Sequence, residues 1–280
     1  MKNNMIKKIC SNPQALIGFI ILSLFIFIAL FGELIWPYDP NIDWANRYAS
    51  ISWEHPFGTD QLGRDLFRQL ISGTSTVLQI AFFTGLFTTV IGVILGMVSG
   101  FLGGWVDKVI QGITNIFLSI PSFPVMLLLA SLFTIEDPIT FAIVLSLWNW
   151  TGLCRSVRAQ VMSLRERDFI QICTVMKMSK GHIIFKELIP NLSSYILINF
   201  IIVVKSAITG AVGIMMLGLA AYDPTNWGSM LESARGLGLI NPKVIPLLLV
   251  PLGAIVLFQM GAILLANGLD EILNPRLKVK

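Results

Sequence analysis

Long apolar segments dominate this chain, and mostly short polar stretches separate them. Six such segments are present, at residues 15–35, 77–102, 109–135, 139–153, 192–221 and 244–269. An apolar helix of about 20 residues crosses the hydrocarbon core of a bilayer. The pattern predicts an all-α polytopic membrane protein with six transmembrane helices. Its transmembrane domain would cover residues 15–280, after a tail of residues 1–14.

The first apolar segment follows three lysines, as the hydrophobic part of a secretory signal peptide does. Its apolar core is too long for such a peptide, and no small-residue cleavage site follows it before Trp36. We therefore expect it to be retained as the first helix. With both termini inside, the cytoplasmic segments carry 14 Lys and Arg and the outer loops carry five. Because positive residues favour the cytoplasmic side, this asymmetry predicts that both termini are cytoplasmic.

One long polar island, residues 155–191, interrupts the apolar pattern with seven Lys or Arg against three acids. Within it, four apolar residues recur at positions i, i+3, i+4 and i+7 of a helix, namely Phe169, Ile172, Cys173 and Met176. A short cytoplasmic helix with such a stripe must bury one face, which favours a docking element for another protein. The alternative is an amphipathic helix that lies on the lipid surface.

Composition excludes several classes of protein. Hydrophobic residues make up 55% and charged residues 13%, whereas soluble domains carry about 25% charged residues. A net charge of +4 could suggest nucleic acid, but no basic block with interleaved aromatic residues is present. The positive charge is better explained by cytoplasmic loops, so we expect the bilayer, and no nucleic acid, as a partner.

The sequence shows no motif for chemistry of its own. It lacks a Gly-x-x-x-x-Gly-Lys-Ser/Thr loop for nucleotide phosphates and a nucleophile elbow. His55 and His182 are far apart, and the three cysteines lack metal-ligand spacing. We therefore expect no catalytic residues, no metal site and no bound cofactor, and energy must come from a separate protein.

Several motifs, in this order along residues 36–278, resemble the binding-protein-dependent ABC importer permeases of the dipeptide, oligopeptide and nickel class. They are His55-Pro56-Phe57-Gly58-Thr59-Asp60-Gln61-Leu62-Gly63-Arg64-Asp65, Gly103-Gly104-Trp105-Val106-Asp107, Pro121-Ser122-Phe123-Pro124, Arg155-Ser156-Val157-Arg158-Ala159-Gln160, Leu164-Arg165-Glu166-Arg167-Asp168-Phe169-Ile170, Ile189-Pro190-Asn191 and Asn274-Pro275-Arg276-Leu277. The resemblance implies a bacterial plasma-membrane subunit that pairs with a second permease subunit. It also implies two ATPase subunits, which use ATP and Mg, and an extracellular substrate-binding protein.

The resemblance further implies that residues 168–190 form the loop that couples the permease to the ATPase. The chain departs from the family pattern here, with Gln171-Ile172-Cys173 in place of Glu-Ala-Ala and Lys177 in place of a glycine. Because a corner between two helices favours glycine, we expect Gly181 to provide the turn. A second short helix, from about residue 182 to 188, would then present Ile184, Phe185 and Leu188 on one face.

Lys205 lies near the centre of the fifth predicted span, where a charge costs at least about 2.5 kcal/mol. One interpretation places it on the translocation path, opposite a substrate carboxylate or an acid of a partner. Asn199 and Thr209 are candidates for the same path. The alternative is structural, either an ion pair with Glu33 or a side chain that snorkels at a helix break beside Gly210.

The outer loop, residues 37–75, is too long for a simple hairpin and contains Trp44 and Trp53. The tryptophans fit interfacial anchoring, whereas the resemblance implies a platform for the binding protein. It also implies that Leu66–Ile71 is a short helix lying flat along the membrane.

Two other functional classes fit less well. An autonomous secondary transporter usually shows inverted repeats, which are not apparent, and it leaves the polar island unexplained. A membrane-embedded enzyme lacks a catalytic constellation. As substrates, the resemblance implies short peptides, nickel or metal chelates of opine-like carriers, and Lys205 favours carboxylate-rich cargo.

Overall fold

The computed structural model describes residues 2–133, 135–220, 223–238 and 242–273, and these are mostly helical. The helices are α1 Lys2–Ser11, α2 Pro13–Ile35, α3 Leu66–Leu102, α4 Gly104–Ser119, α5 Ser122–Leu132, α6 Pro138–Arg165, α7 Asp168–Val175, α8 Lys180–His182, α9 Ile189–Met215, α10 Trp227–Gly236 and α11 Ile245–Leu273. A π-helical turn, Ile183–Leu188, joins α8 to α9. The family-like motif that begins at Asn274 lies outside the described residues, as does the end of the fifth predicted span.

Four continuous helical segments of the described chain are long and apolar enough to cross a membrane. They are Pro13–Ile35, Leu66–Leu102, Lys180–Met215 and Pro242–Leu273. These segments contain the first, second and sixth predicted spans in full, and they contain the fifth as far as Met215, where its helix ends. The structure therefore confirms a helical membrane protein with at least these four candidate spans.

The third predicted span is not one straight helix. The helices α4 and α5 meet at an angle of 89° around Ile120 and Pro121. Proline lacks a backbone N–H and disfavours helical geometry in the residue before it, so a helix that reaches Ile120 must stop there. If the bent pair is counted as one span, the described residues provide five.

The fourth predicted span, residues 139–153, is the first half of a longer helix. Asp137 caps α6 by accepting hydrogen bonds from the N–H groups of Ile139 and Thr140. The Thr140 hydroxyl and backbone N–H hold the pKa of Asp137 below its usual value. The helix then runs past the apolar half into the polar island and ends at Arg165. Its composition does not qualify it as a membrane span, so the number six is not confirmed by the helices themselves.

Close packing fixes α6 against α3. A Cβ atom added to Gly92, Gly96 or Gly100 of α3 would lie between 2.6 and 3.1 Å from a carbonyl oxygen of α6. The three oxygens belong to Trp150, Cys154 and Arg158, at the same four-residue spacing as the glycines. Small residues of this kind let membrane helices approach backbone to backbone. The polar island is thus an extension of a helix that is packed tightly in the bundle.

Trp227 anchors the segment between α9 and α11 at the opposite end of the bundle. It is fully buried, and its ring centroid lies 5.7 Å from that of Phe25 on α2. Phe25 in turn packs edge-on against Phe258 of α11. The Trp227 indole N–H donates to the carbonyl oxygen of Leu70 on α3, at 3.3 Å. Residues 225–231, which are all buried, are therefore inserted into the bundle.

Candidate functional site

The polar island folds into a corner made by α7 and by a continuous helical rod. The rod, Lys180–Met215, starts with α8 and includes α9. Ile170 and Cys173 of α7 are buried against Val157 and Val161 of α6. Ile183, Leu188 and Leu192 of the following rod complete the same apolar cluster. The corner is therefore attached to the bundle by its own small core.

The other face of the corner exposes apolar side chains. Ile172 of α7 and Met176, which follows the helix directly, are 57% and 63% exposed, and Phe169 of α7 is 36% exposed. Val175 is more exposed still, at 81%, and was not singled out by the sequence pattern. Together with Asp168 and Gln171, the residues Ile172, Val175 and Met176 line a shallow hollow of about 360 Å³. Phe185 of the rod is exposed as well.

Three of the seven predicted docking residues do not lie on this exposed face. Cys173 and Leu188 are buried, and Ile184 is half-buried against the same inner cluster. Residues at i, i+3, i+4 and i+7 cover a broad face of a short helix. One edge of this face, with Cys173, packs on α6, and the other edge, with Ile172, is exposed. Cys173 and Leu188 thus attach the corner to the bundle, Ile184 is partly covered by the same cluster, and contact of the three with a partner stays a prediction.

Lys177 forms the turn after α7. Its φ angle is 54°, in the left-handed region that glycine adopts without strain. The Lys177 N–H donates to the Thr174 carbonyl, and the Met178 N–H donates to the Cys173 carbonyl. This pair of bonds, with Met178 packed in the cluster that holds Cys173, is a Schellman motif. The prediction that Gly181 provides the turn is wrong, since Gly181 lies within α8 without a positive φ.

The polar island carries exposed basic side chains. Five of them are exposed, namely Arg165, Arg167, Lys177, Lys180 and Lys186. Within the described ranges, no ion pair involves any of the five. The hollow itself has one charged lining residue, the acid Asp168, so the corner combines an apolar hollow with a polar island whose net charge is positive.

The base of this corner is tied to α3 and α4. The Arg158 guanidinium of α6 donates to both carboxylate oxygens of Asp107 on α4. The Ser99 hydroxyl of α3 donates to the same carboxylate and accepts from the Gln111 amide. Three helices therefore meet in one hydrogen-bonded cluster close to the point where α6 leaves the bundle.

The predicted translocation residues lie along α9. Lys205 is half-exposed, and no ion pair among the described residues involves it. Glu33 accepts a hydrogen bond from Ser72, 3.3 Å away, so the alternative in which Glu33 pairs with Lys205 is wrong in this structure. The Asn199 amide donates to the carbonyl of Tyr195 within its own helix.

Thr209 has a partner that sequence reasoning missed. The amide nitrogen of Gln259 donates to the Thr209 hydroxyl at 2.9 Å and so joins α11 to α9. Gln259 is the middle residue of the 29-residue α11 and is flanked on both sides by apolar residues. The sequence signal for this contact is a lone glutamine at the centre of an apolar helix, because a polar residue there must find a hydrogen-bond partner.

The family-like motif from His55 to Asp65 builds a compact loop before α3. The Asp60 carboxylate is buried and accepts from the backbone N–H groups of Leu62 and Arg64, from the Arg64 guanidinium and from the Gln69 amide. Asp65 caps α3, and its second oxygen lies 2.8 Å from Nδ1 of His55. The predicted flat helix at Leu66–Ile71 is not separate, because it forms the first turns of α3.

Comparisons with known proteins agree with these features. Residues 92–279 match the family model described as "Binding-protein-dependent transport system inner membrane component", and residues 3–52 match "N-terminal TM domain of oligopeptide transport permease C". The dipeptide transport system permease protein DppC of Alkalihalophilus pseudofirmus is 32% identical over 275 residues, which cover 97% of this chain and 89% of the relative. The metal-staphylopine import system permease protein CntC of Staphylococcus aureus is 36% identical over 278 residues, covering 98% and 94%. The glutathione transport system permease protein GsiD of Shigella dysenteriae is 30% identical over 259 residues, covering 91% and 84%.

Proposed function

Because this chain belongs to the family of inner-membrane components of binding-protein-dependent transport systems, we propose that it forms the translocation path of an ATP-driven importer and docks an ATPase on the α7 corner. The chain is one of two different permease subunits, and each permease subunit contacts one of two ATPases. The observation that carries this proposal is the exposed apolar face of α7, which is anchored to the bundle from behind by its buried side chains.

The proposed topology has six spans and both termini in the cytosol. The bent α4–α5 pair supplies the third span and the apolar half of α6 supplies the fourth. One contact supports this orientation. Ile9 of α1 packs with Ile198, in the half of α9 that adjoins the basic corner, and positive residues favour the cytoplasmic side.

Docking follows the helix-in-groove mode, in which an amphipathic helix places its apolar face in a groove of the partner. Ile172, Val175 and Met176 would enter the groove. ATP and Mg stay with the ATPase subunits, because this chain offers no phosphate-binding loop.

Closure of the ATPases would move the corner, and the packing contacts of α7 determine which other helices would move with it. Ile170 and Cys173 join α7 to α6, and the glycine stripe joins α6 to α3. Well-packed interfaces move as units, since their side chains have little free space. Movement of α7 would therefore carry α6 and α3 together and change the access of the path.

The proposed path includes Lys205, Asn199 and Thr209, with Gln259 as an additional member. Lys205 and Gln259 lie near the middle of their helices, and transporters usually bind substrate near that depth. An unpaired ammonium facing lipid would be costly, so this side of α9 is better placed against a polar path.

The proposed cargo is small and bears carboxylates. The relatives described above are permeases of transport systems for dipeptides, metal-staphylopine and glutathione. Short peptides, metal chelates of opine-like carriers and nickel remain the substrate classes. An extracellular binding protein would deliver the cargo to the loop that Asp60 organises.

Co-purification tests the docking assignment directly. The chain is expressed with its genomic partner subunits, and ATPase recovery is measured for Ile172→Asp and Met176→Asp. Each variant places a charge in the proposed groove, so ATPase recovery should fall at least about tenfold while the permease still inserts. Met162→Asp, at an exposed apolar position of α6 outside the hollow, is the matched control. Normal ATPase recovery with both test variants would show that the docking face is assigned to the wrong surface.

A further inference from the structure

A polar groove lies where the corner between α1 and α2 meets the last turns of α11. Its volume is about 550 Å³. Lys8 and Ser11 of α1, Asn12 and Gln14 at the start of α2, and Glu271 of α11 contribute its polar lining. None of these residues takes part in the proposed docking or translocation.

Asn12 makes the floor of this groove rigid. It is about nine-tenths buried, and its carbonyl oxygen caps α2 by accepting from the N–H of Ala15. Its amide nitrogen donates to Oε2 of Glu271 at 2.8 Å. The Glu271 carboxylate is thereby held in one orientation, and its Oε1 atom has no hydrogen bond within the described chain.

A cation and an anion line the groove without pairing with each other. Within the described residues, no ion pair joins Lys8 to Glu271. The Lys8 ammonium and the Oε1 atom of Glu271 are thus both available to a ligand. The arrangement is complementary to a ligand that carries both a negative and a positive group.

The groove also opens onto an apolar surface. Pro13 lines the groove and begins the first apolar helix of the chain. Ile17, Ile20 and Leu24 follow Pro13 at i+4, i+7 and i+11, and each is at least 50% exposed. These residues continue one face of α2 from the groove into the membrane. A ligand that fills the groove can therefore extend an apolar tail along this face.

We propose that the groove binds a phospholipid whose headgroup carries a primary ammonium, such as phosphatidylethanolamine. The phosphate lies on the Lys8 ammonium, the headgroup ammonium donates to Oε1 of Glu271, and the acyl chains lie along Ile17, Ile20 and Leu24. A choline headgroup has no N–H to donate, and a glycerol headgroup has no positive charge. The groove therefore distinguishes ethanolamine from both.

Native mass spectrometry of the purified full-length chain tests this assignment and needs neither ATPase nor cargo. The chain is equilibrated with equal amounts of phosphatidylethanolamine, phosphatidylcholine and phosphatidylglycerol that share the same acyl chains. Phosphatidylethanolamine should be retained about tenfold over each of the others, because a charge-assisted hydrogen bond is worth about one decade or more in affinity. Glycerophosphoethanolamine, which lacks acyl chains, should not displace the lipid.

Three variants separate the contributions of the groove. Glu271→Gln can still accept the Asn12 hydrogen bond and should abolish the preference for ethanolamine over choline. Lys8→Gln should lower the retention of all three lipids, and its exposed position makes a folding defect unexpected. Lys7→Gln, on the neighbouring exposed lysine that does not line the groove, should change nothing. Equal retention of the three lipids by the unmodified chain, a preference for phosphatidylglycerol, or an unchanged preference in Glu271→Gln would each overturn the proposal.

Discussion

Arg158 of α6 and Asp107 of α4 form a two-pronged ion pair across 51 residues of sequence, with Nη2 of the arginine 2.6 Å from Oδ2 of the carboxylate. Both side chains are only partly exposed, at 26% and 18%. The pair ties the bent α4–α5 segment to the helix that carries the docking corner. Motion of α6 should therefore reach the bent pair through this contact as well as through α3.

The geometry of this pair should matter as well as its charge. Arg158→Lys keeps the positive charge but loses the planar fork that matches the carboxylate. It should lower the free energy of unfolding by ~1 kcal/mol and reduce substrate-stimulated ATP hydrolysis by the full complex. Asp107→Asn should cost less in the Arg158→Lys background than in the unmodified chain, because part of the interaction is already lost. Fully additive losses in melting experiments would contradict this coupling.

Relieving the strain at Lys177 should stabilise the docking corner. A left-handed residue other than glycine costs roughly 1–2 kcal/mol, part of which glycine loses again as unfolded-state entropy. Lys177→Gly should therefore raise the free energy of unfolding by up to about 1 kcal/mol, measured by thermal melting of the purified subunit. Lys186→Gly, in a helical position, is the matched control and should be destabilising by about 1 kcal/mol. A lower melting temperature of the Lys177→Gly variant would contradict the inference that the backbone is strained at Lys177.

Substitutions on the buried face of the corner should lower its stability, whereas substitutions on the exposed face should weaken docking. Leu188→Ala removes a fully buried side chain and should cost about 2–5 kcal/mol of folding free energy. Ile172→Ala, at an exposed position, should leave the melting temperature nearly unchanged and weaken ATPase recovery. Melting and co-purification are measured on the same preparations. Equal effects of both variants on both measurements would show that the corner is not divided in this way.

Lys205 should be needed for uptake and dispensable for folding. Lys205→Met removes a costly charge from the span, so the yield of inserted protein should stay equal or rise. Uptake of a carboxylate-bearing cargo into proteoliposomes should fall at least about tenfold, since one charge-assisted contact is lost. Lys205→Arg keeps the charge and should retain part of the uptake. Normal uptake with Lys205→Met would remove this residue from the proposed path.

The contact between α3 and α6 should not tolerate a side chain at Gly96. A Cβ there would lie 2.6 Å from the Cys154 carbonyl oxygen, which is backbone and cannot rotate away. Gly96→Ala should lower the folded yield and the melting temperature, with a loss of about 1–3 kcal/mol. Gly112→Ala in α4 is the control, because no heavy atom lies within 4 Å of its added Cβ. An unaffected Gly96→Ala variant would mean that the two helices are not packed this closely.

Much of the architecture follows from the sequence alone. The lengths of the apolar runs predict α2, α3, the α9 rod and α11, because an apolar helix can satisfy its own backbone in a membrane. The order of short motifs indicates the permease family, which the comparisons confirm. The apolar stripe of α7 likewise predicts a helix with one face to bury.

Only the tertiary structure decides which residues of that stripe face outwards and where the chain turns. Cys173 and Ile172 are adjacent in the sequence, and the apolar pattern does not distinguish them. In the structure, α6 covers Cys173 and leaves Ile172 exposed. The turn lies at Lys177 and not at Gly181, because the cluster that buries Cys173 and Met178 fixes where α7 must end. The partner of Thr209 is Gln259, 50 residues away. Local propensity and periodicity specify which residues form a helix, whereas the packing of distant helices determines what each side of that helix contacts.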